Sequence, residues 1–395
     1  MRILFLSAWF PHPVDNGSKI RISNLLRALA RKHDVDLLSF VDSPPGLESA
    51  QALASYCRLV GTVTRVPYRP RRLRALAGYF SPTPRSLVDT HSPEMARALA
   101  AQMAANHYNL VIASEVGAAP YVAQLPSVPK VFEDVELGAI RTPAGSSSNG
   151  VARGRQWLTW YKTRRYLGKL IHRYAACTVV SRREFENVRE AAPGFQRVEI
   201  IPNGVDVAAM PHNGIKRPSN VLIFNGSLTY DANFDAAQYF LTEVWPLLKL
   251  KVPDVRLQIT GRVDGVDASR LLRDEAVTLT GYLPDIHRAV AEAAVCVAPV
   301  RRGSGTRIKI LEAMALGTPV VATTKGAEGL DVIHGEHILI ADSPADFAGQ
   351  VARLLHDEPL GRHLAANGRR LVEQKYDWAA LGEQFRRLVD SVAGG

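Results

Sequence analysis

The sequence has few cysteines, no long hydrophobic run and no clear targeting signal. Its three cysteines, Cys57, Cys177 and Cys296, are too few for a disulfide framework, so we expect buried, reduced thiols and a cytoplasmic location. No apolar run approaches the roughly 18–20 residues that a membrane-spanning helix requires. The apolar start of the chain ends at a Pro-His-Pro segment without a small-residue cleavage site, which favours a buried strand over a signal peptide.

Acidic residues are missing from two long stretches of a chain whose net charge is +10. No Asp or Glu occurs between Glu48 and Asp89, nor between Glu136 and Glu184. Both stretches lie in the first half of the chain, and this asymmetry indicates that one domain meets something anionic. The basic residues of the two stretches include Arg65, Arg69, Arg71, Arg72, Arg74, Arg153, Arg155, Lys162, Arg164, Arg165, Lys169 and Arg173.

Short apolar runs alternate with helical patterns from the start of the chain to its end. Runs that are apolar throughout, such as Leu110–Ala113 and Val295–Pro299, indicate strands of parallel sheets that are covered on both faces. Since 395 residues are too many for a single core, the repeated pattern predicts an α/β fold of two doubly wound, Rossmann-like domains. The other predicted strands are Ile3–Leu6, Val35–Phe40, Thr62–Val66, Lys130–Phe132, Cys177–Val180, Val198–Ile201, Val221–Asn225, Arg256–Thr260, Val277–Thr280, Pro319–Ala322 and Ile338–Ala341. The predicted helices include Lys19–Lys32, Pro93–Asn106, Asp235–Leu250 and Ile308–Leu316.

A segment that contains Pro and Gly, Ile201–Asp206, precedes a polar stretch that we interpret as a hinge. We therefore expect one domain over residues 1–204, a second over 205–375, and a C-terminal helix over 376–395 that packs back towards the first domain. The stretch Pro143–Gly150 has the composition of a linker, and we interpret it as a mobile loop near a cleft between the domains.

The strongest local signal is the segment Val297–Ala315, in which a buried strand, a glycine-bearing turn and a helix follow one another. Gly303 and Gly305 let an anion approach the backbone, and Thr306 is a suitable N-cap for the helix. Backbone N–H groups and the helix dipole make such a turn an anion site. The alternative interpretation is an ordinary turn with solvated charges.

Three charged side chains follow this turn. Arg307 and Lys309 lie in the first helical turn, where the helix dipole disfavours bases, and a bound diphosphate would supply the missing negative charge. Glu312 lies three residues after Lys309 on the same face, where its carboxylate can accept both hydroxyls of a ribose. The segment therefore predicts a site for a nucleoside diphosphate.

A metal site and nicotinamide chemistry are both disfavoured. The only Asp-x-Asp motif, Asp34-Val35-Asp36, begins a strand, and we interpret it as solvated charge at a strand edge. No His/Cys cluster has the spacing of metal ligands, so we expect no metal; a helix N-terminus with two bases can stabilise a leaving group instead. No Gly-x-Gly-x-x-Gly motif follows the first strand, where a dinucleotide-binding fold requires it.

Acidic residues at two strand ends of the first domain are candidates for contact with an acceptor. Glu115 follows one predicted strand, and Glu133-Asp134 with Glu136 follow the next. Residues just past the carboxyl ends of parallel strands line the binding cleft in such folds. Interpretation as helix caps or loop charges stays open. His12, near the end of the first strand, is a weaker candidate.

The segment Gly154–Ile171 predicts a basic amphipathic helix. Trp157, Trp160 and Tyr161 recur at helical spacing among arginines and lysines. Two interpretations stay open: the helix packs on the sheet of the first domain, or it contacts an anionic bilayer. The segment Arg69–Phe80 has the same combination of basic and aromatic residues.

Eight short segments in the second half match one known pattern. They are Phe224–Leu228, Asn233–Ala236, Ile259–Arg262, Thr280–Asp285, Gly303–Ala315, Gly317–Thr323, Ala327–Leu330 and Gly335–His337. In these segments the chain resembles the C-terminal domain of glycosyltransferase family 4, the large retaining group with the GT-B fold, and a branch associated with bacterial surface polysaccharides. Ile201–Asp206 resembles the interdomain signature of the family, and the first half matches more loosely.

The resemblance implies roles for the residues that match. Gly226-Ser227 would form the turn beside the donor phosphates, and Tyr282-Leu283 would belong to the loop whose backbone holds the base. Glu312 would bind the ribose. Asn16-Gly17 would form the loop of the first domain that closes on the diphosphate and the sugar.

Two departures from the family pattern concern the phosphate and sugar contacts. Many members carry two glutamates eight positions apart, and the first would fall on Ser304. Many also carry Arg and Lys shortly after the first strand of the second domain, where this chain has no base. We therefore assign the diphosphate to Arg307 and Lys309 with Arg262, and the donor sugar to the backbone of Gly303–Thr306 or to another group.

Together these observations predict a retaining, metal-independent glycosyltransferase with a UDP- or GDP-sugar as donor and a glycan, a lipid-linked molecule or a small molecule as acceptor. Arg307 and Lys309 would stabilise the leaving group, and Glu115 is the catalytic candidate on the acceptor side. The alternatives are a nucleotide-sugar epimerase on the same fold and a catalytically silent binding subunit. We expect a cytoplasmic protein without a nucleic acid partner, with attachment to the inner membrane through Arg69–Phe80 and Gly154–Ile171 as a further option.

Overall fold

A computed structural model describes residues 1–138, 150–210, 220–271, 274–303 and 307–394, apart from the side chains of residues 151 and 152. The chain divides into two units. The first comprises Met1–Pro202 with Leu381–Gly395, and the second comprises Asn203–Ala380. The residues 143–149 and 211–218, interpreted above as a loop and as part of a hinge, lie outside the described residues.

The first unit is built on seven parallel strands that alternate with helices. Its central strands are buried on both faces, which explains why their sequences are apolar throughout. The strands are β1 (Arg2–Ser7), β2 (Asp34–Val41), β3 (Arg58–Thr64), β4 (Leu110–Ser114), β5 (Lys130–Glu133), β6 (Ala176–Val179) and β7 (Val198–Ile200). Their order across the sheet is β3-β2-β1-β4-β5-β6-β7, and each pair of neighbours is parallel.

Eight helices connect the strands described for the first unit. They are α1 (Gly17–Ala30), α2 (Leu47–Ala54), α3 (Leu73–Ala77), α4 (Arg85–Thr90), α5 (Pro93–Ala105), α6 (Ala119–Val122), α7 (Gly150–Ile171) and α8 (Arg182–Ala191).

The second unit repeats the arrangement with six parallel strands. They are β8 (Val221–Asn225), β9 (Arg256–Thr260), β10 (Val277–Gly281), β11 (Val295–Ala298), β12 (Val320–Ala322) and β13 (Leu339–Ile340), in the order β10-β9-β8-β11-β12-β13. The helices are α9 (Asp231–Tyr239), α10 (Trp245–Lys251), α11 (Ile286–Glu292), α12 (Ile308–Ala315), α13 (Pro344–His356) and α14 (Glu358–Lys375), followed by α15 (Trp378–Ala393). The two parallel sheets confirm the prediction of two doubly wound α/β domains.

The end of the chain completes the first unit. Gly382 of α15 lies against Ala28 of α1, where a Cβ on Gly382 would be only 2.6 Å from the Ala28 Cβ. His33 Nε2 lies 2.9 Å from an oxygen of Asp390. The first unit is therefore assembled from both ends of the chain.

The third strand begins four residues earlier than the sequence predicts. β3 covers Arg58–Thr64 instead of Thr62–Val66. Gly61 interrupts the apolar pattern and so conceals the first half of the strand. In the fold Gly61 lies against Leu38 of β2, where a Cβ would come within 3.0 Å of the Leu38 side chain.

The helix predicted over Asp235–Leu250 also begins earlier, at Asp231, and it is not uniform. The segment Phe240–Val244 between α9 and α10 has π-helical geometry. A periodicity of 3.6 residues cannot indicate this wider turn. The turn places Trp245 in the core, where its indole N–H donates to Asp274 over 2.9 Å.

The interpretation of Asp36 as solvated strand-edge charge is wrong. Asp36 is buried and accepts hydrogen bonds from Arg2, Arg58 and Tyr108. Burial alone would raise the pKa of the Asp36 carboxyl, but these hydrogen bonds outweigh burial and lower it. Asp36 is therefore a structural ion-pair partner.

Helix α7 is exposed in its first half and buried in its second. Leu167 and Ile171 lie in the core of the first unit, whereas Trp157 and Tyr161 are exposed and stack on each other with ring centroids 5.4 Å apart. The second half therefore packs on the unit, as one of the two interpretations of this helix requires, and the first half leaves its aromatic residues outside.

Two glycines of α7 test this division. A Cβ on Gly168 would lie 2.0 Å from the carbonyl oxygen of Ala191, whereas a Cβ on Gly154 would meet nothing within 4 Å. We expect Gly168→Ala to lower the free energy of unfolding by about 1–3 kcal/mol through overpacking. We expect Gly154→Ala to raise it by about 0.5–1 kcal/mol, because Ala favours helix. Urea unfolding of both variants measures the change in the free energy of unfolding. Equal changes in the two variants would contradict the division of α7 into an exposed first half and a buried second half.

Candidate functional site

The residues predicted to bind a donor follow the carboxyl ends of strands in the second unit. Gly226-Ser227 follows β8, Arg262 comes two residues after β9, and Tyr282-Leu283 follows β10. Gly303 lies between β11 and α12. Because the strands are parallel, these positions share one edge of the sheet.

Two glycines bring the first two of these turns into close contact. Gly226 and Gly261 both have positive φ, 154° and 123°. A Cβ on Gly261 would lie 2.5 Å from the Gly226 carbonyl oxygen, and one on Gly226 would lie 2.6 Å from the Lys309 Nζ. A side chain at position 226 would therefore occupy the space in front of the lysine.

Lys309 is the central cation of this edge. Its Nζ donates to Asn233 Oδ1 over 2.8 Å and lies 4.6 Å from the centroid of the Phe224 ring. Burial lowers the pKa of the Lys309 ammonium to about 8. Among the described residues no carboxylate lies within ion-pairing distance of Nζ, so the positive charge is held by neutral partners.

Arg307 precedes α12 and does not lie in its first turn, which corrects the prediction. The helix begins at Ile308, and Arg307 occupies the position of the N-cap. Its buried guanidinium donates to the carbonyl oxygens of Gly303 (3.2 Å) and Arg302 (3.4 Å), and burial lowers its pKa. Arg307 therefore shapes the loop. Ser304, Gly305 and Thr306, including the predicted N-cap, lie outside the described residues.

Glu312 lies one helical turn beyond Lys309 and has a partner that the sequence analysis missed. His287 of α11 places Nε2 3.9 Å from Glu312 Oε1. The Glu312 carboxylate raises the pKa of His287. The position of His287 in the first turn after the Tyr282-Leu283 loop is the only sequence signal that could have indicated it.

Arg262 and Tyr282 do not join this group through their side chains. Both side chains are exposed, Tyr282 to 69%. Arg262 contributes its carbonyl oxygen, which accepts from the Leu228 N–H over 2.9 Å. Leu283 is half-buried. In the parts of the chain that the structure covers, no hydrogen bond or ion pair links Arg262 or Tyr282 to Lys309 or Glu312.

In the first unit, Asn16-Gly17 forms the start of α1. Asn16 is the N-cap, and its Oδ1 accepts from the Lys19 N–H over 3.0 Å. No acidic residue occupies the first turn of the helix, and the Lys19 ammonium pairs with Asp15 at 2.9 Å. The turn is thus a capped helix start with exposed polar groups.

Acidic residues gather at the carboxyl ends of β4 and β5, as the sequence predicts. Arg21 of α1, which the sequence analysis missed, is fully buried among them and donates to Glu133 over 2.5 Å. It also donates to the Ile201 carbonyl oxygen over 2.8 Å. Burial and the nearby carboxylates raise the pKa of Asp134 and of Glu136. Burial and mutual repulsion therefore favour the protonated forms of these two carboxyl groups.

Glu115 is the member of this cluster with the best-defined contacts. It adopts a left-handed backbone conformation with φ of 66° at the end of β4. The indole N–H of Trp9 donates to Glu115 Oε2 over 2.8 Å. Burial raises the pKa of the Glu115 carboxyl to about 7. His12 is not joined to this cluster by a hydrogen bond; its Nδ1 lies 3.0 Å from Ser49 Oγ.

The two basic stretches of the first unit form one surface. The Lys162 ammonium of α7 donates to the carbonyl oxygens of Gly78 (3.0 Å) and Tyr79 (2.8 Å), just past α3. We call the result the aromatic–basic surface. Its exposed apolar residues are Leu73, Leu76, Phe80, Trp157, Leu158 and Tyr161, and its exposed basic residues are Arg69, Arg71, Arg74, Arg153, Arg155 and Arg165.

The described residues contain neither a cluster of metal ligands nor a helix that could span a membrane. No three His, Cys, Asp or Glu residues stand together as metal ligands in the described ranges. Within those ranges, none of the helices combines the length and the apolar character that crossing a bilayer demands.

Two family models match the chain. The model for Glycosyltransferase Family 4 matches residues 15–209, and the model for Glycosyl transferases group 1 matches residues 219–357. Phosphatidyl-myo-inositol mannosyltransferase of Mycolicibacterium smegmatis is 30% identical over 245 residues, which cover 58% of this chain and 60% of that protein. The match thus spans less than two thirds of this relative.

Solved structures show the same fold. Sucrose-phosphate synthase from Thermosynechococcus elongatus has a TM-score of 0.69 and 19% identity, with 100% of both chains covered. HepE from Anabaena, in complex with UDP and glucose, has a TM-score of 0.68 and 17% identity over 99% of this chain and 100% of that chain. The architecture is that of the GT-B glycosyltransferases. The chain belongs to glycosyltransferase family 4, which confirms the predicted family and fold class.

The raised pKa of Glu115 predicts how stability depends on pH. Because the folded carboxyl has the higher pKa, its contribution is complete below about pH 4.5 and is lost as the pH rises through 7. We expect wild type to lose up to about 3 kcal/mol more than Glu115→Gln between pH 4.5 and pH 7.5. Urea unfolding at both pH values measures the difference. The control Glu186→Gln, at an exposed position, should lose as much stability between the two pH values as wild type does. If Glu115→Gln lost as much stability as wild type, the raised pKa of Glu115 would be contradicted.

Proposed function

We propose that the chain is a nucleotide-sugar-dependent glycosyltransferase whose donor binds at the carboxyl edge of the second unit. The observation that carries the proposal is Lys309, a buried cation with neutral partners beside the Gly226 turn, in a chain of family 4. A cation in this state lacks a counter-charge, and a diphosphate would provide one. The complex of HepE with UDP and glucose supports a nucleotide-sugar donor.

The donor is a UDP- or GDP-sugar, and each part of it has a candidate partner. The diphosphate lies between Lys309 and the Gly226-Ser227 turn, with Arg307 holding the carbonyl group of Gly303. Glu312 accepts the ribose hydroxyls, and the base rests on the loop that contains Tyr282-Leu283. In this arrangement the donor sugar extends from the diphosphate.

The proposed reaction proceeds with retention of configuration. The bond between the anomeric carbon and the diphosphate oxygen breaks, and a glycosidic bond to the acceptor oxygen forms on the same face of the sugar. The acceptor proton passes to the leaving phosphate oxygen. Lys309 stabilises the negative charge that develops on the diphosphate, so no metal ion is required for this purpose. Glu115 accepts a hydrogen bond from the acceptor hydroxyl and orients it.

The affinity for nucleotide tests the donor site. We expect Glu312→Ala to weaken binding of UDP or GDP at least tenfold, because a charged hydrogen bond contributes about 1.5–3 kcal/mol. Isothermal titration calorimetry with both nucleotides measures this. Glu358→Ala, on an exposed carboxylate of α14, is the matched control and should bind as wild type. Unchanged affinity in a folded Glu312→Ala protein would refute the site.

Turnover separates the transferase from the two alternatives. A transferase releases nucleotide from the donor when an acceptor is present. An epimerase would change the sugar while the nucleotide stays attached, without any acceptor, and a silent subunit would do neither. Assays with UDP- and GDP-sugars, with and without acceptor, distinguish all three.

We further propose that the acceptor is lipid-linked or close to a membrane, and that the protein attaches to the inner face of the membrane. The name of the mycobacterial relative, an enzyme acting on phosphatidyl-myo-inositol, supports such an acceptor. The aromatic–basic surface supports the attachment, because aromatic side chains favour the headgroup region and each Lys or Arg near an anionic surface contributes about 1 kcal/mol.

Liposome co-sedimentation tests the attachment. We expect binding to anionic vesicles at low salt, weaker binding at high salt, and no binding to neutral vesicles. Phe80→Ser with Trp157→Ser should weaken binding several-fold, since these side chains are 95% and 60% exposed. Leu250→Ser removes an exposed hydrophobic residue elsewhere and should have no effect. Recovery of wild type in the supernatant under all conditions would exclude the attachment.

A further inference from the structure

A row of side-chain contacts runs along the carboxyl edge of the sheet in the first unit. Arg65 follows β3, Asp42 follows β2, Trp9 comes two residues after β1, and Glu115 follows β4. These strands are neighbours in the order β3-β2-β1-β4. Each residue in the row therefore stands beside the next.

The Arg65 guanidinium fixes the Trp9 ring. It lies over the indole with 3.8 Å between the guanidinium carbon and the ring centroid. Arg65 Nη2 donates to the Ala8 carbonyl oxygen over 2.7 Å, and Arg65 Nε lies 3.6 Å from Asp42 Oδ1. Three contacts thus hold the guanidinium, and a cation held over a ring restricts the tilt of that ring.

The held indole points its single donor at Glu115. An indole has no other polar atom, so its N–H is committed to Glu115 Oε2 at 2.8 Å. We propose that Trp9, held by Arg65, is a positioning residue that fixes the orientation and the charge state of the Glu115 carboxylate. The inference rests on the proposed function, which places that carboxylate at the acceptor hydroxyl.

The charges around Glu115 determine the direction of the effect. Burial, Glu133 and Glu136 all raise its pKa, whereas the hydrogen bonds from Ser18 and Trp9 lower it. Arg21 is the buried cation of the cluster, and Asp134 is a further carboxyl beside it. Loss of the Trp9 donor leaves the raising influences in place, so the pKa of Glu115 must increase.

Titration of Glu115 by NMR tests the inference without any substrate. Glutamate labelled with ¹³C at the carboxyl carbon reports the pKa, and the Glu115→Gln spectrum identifies the signal. We expect Trp9→Phe, which keeps an aromatic ring but removes the donor, to raise the pKa by about one unit. Trp378→Phe is the matched control in the second unit, because the Trp378 indole N–H has no hydrogen-bond partner among the described residues, and it should cause no shift.

Arg65→Lys provides a second variant that retains the charge and loses the planar contact with the indole. We expect a smaller rise in the pKa of Glu115, because the ring is then free to tilt. If the pKa of Glu115 is unchanged in folded Trp9→Phe, the positioning role is overturned. If Trp9→Phe fails to fold, an unchanged pKa of Glu115 in Arg65→Lys overturns it instead. Such a result would leave the proposed transferase activity untouched.

Kinetics provide the complementary readout. In an active enzyme, Trp9→Phe should move the acidic limb of the acceptor kcat/KM profile to higher pH by the same amount, with donor KM unchanged. Trp9→Phe in a Glu115→Gln background should add no further loss. A loss of equal size in both backgrounds would mean that Trp9 acts only structurally. If Trp9→Phe raises the pKa of Glu115 as expected but the wild-type protein shows no turnover, the proposed function is contradicted and the positioning role is not.

Discussion

Every strand in both sheets runs parallel to its neighbours, and this constraint determines where the polar chemistry of the chain can lie. The central strands are apolar and buried, so most of the polar side chains lie where strands end, and the buried Asp36 inside β2 needs hydrogen bonds from Arg2, Arg58 and Tyr108. Because parallel strands end together, those side chains collect at one edge of each sheet. The acidic cluster after β4 and β5, and the glycine turns after β8 and β9, are both products of this rule.

Both edges hold buried cations, and Arg21 and Lys309 have opposite kinds of partner. Arg21 stands among several carboxyl groups at the edge of the first sheet, and burial together with the neighbouring carboxylates raises the pKa of Asp134 and Glu136. Lys309 has a neutral amide and an aromatic ring as partners, so its positive charge has no ion-pair partner among the described residues. The carboxyl-rich edge of the first unit suits hydroxyl groups, and the edge of the second unit that contains Lys309 suits an anion.

Sequence alone gave the family, the fold class and strands such as Val221–Asn225 with their observed bounds, because a buried parallel strand is apolar throughout. It missed whatever depends on contacts between distant residues. Arg21, Trp9 and His287 are ordinary residues in sequence, and only folding brings each one to a carboxylate. The sequence indicates the two segments of the aromatic–basic surface, but it does not indicate that the hydrogen bonds of Lys162 join them.

The contribution of both chain ends to the first unit has a consequence for synthesis on the ribosome. The contact of Gly382 with Ala28, and the pairing of His33 with Asp390, cannot form until the end of the chain has emerged. At roughly 5–20 residues per second, translation of Asn203–Ala380 occupies on the order of ten to forty seconds. During that interval the first unit stands incomplete, with the surface that receives α15 uncovered. The second unit ends at Ala380, so its residues are complete before those of α15 are. The first unit, whose synthesis begins before that of the second unit, is therefore completed after it.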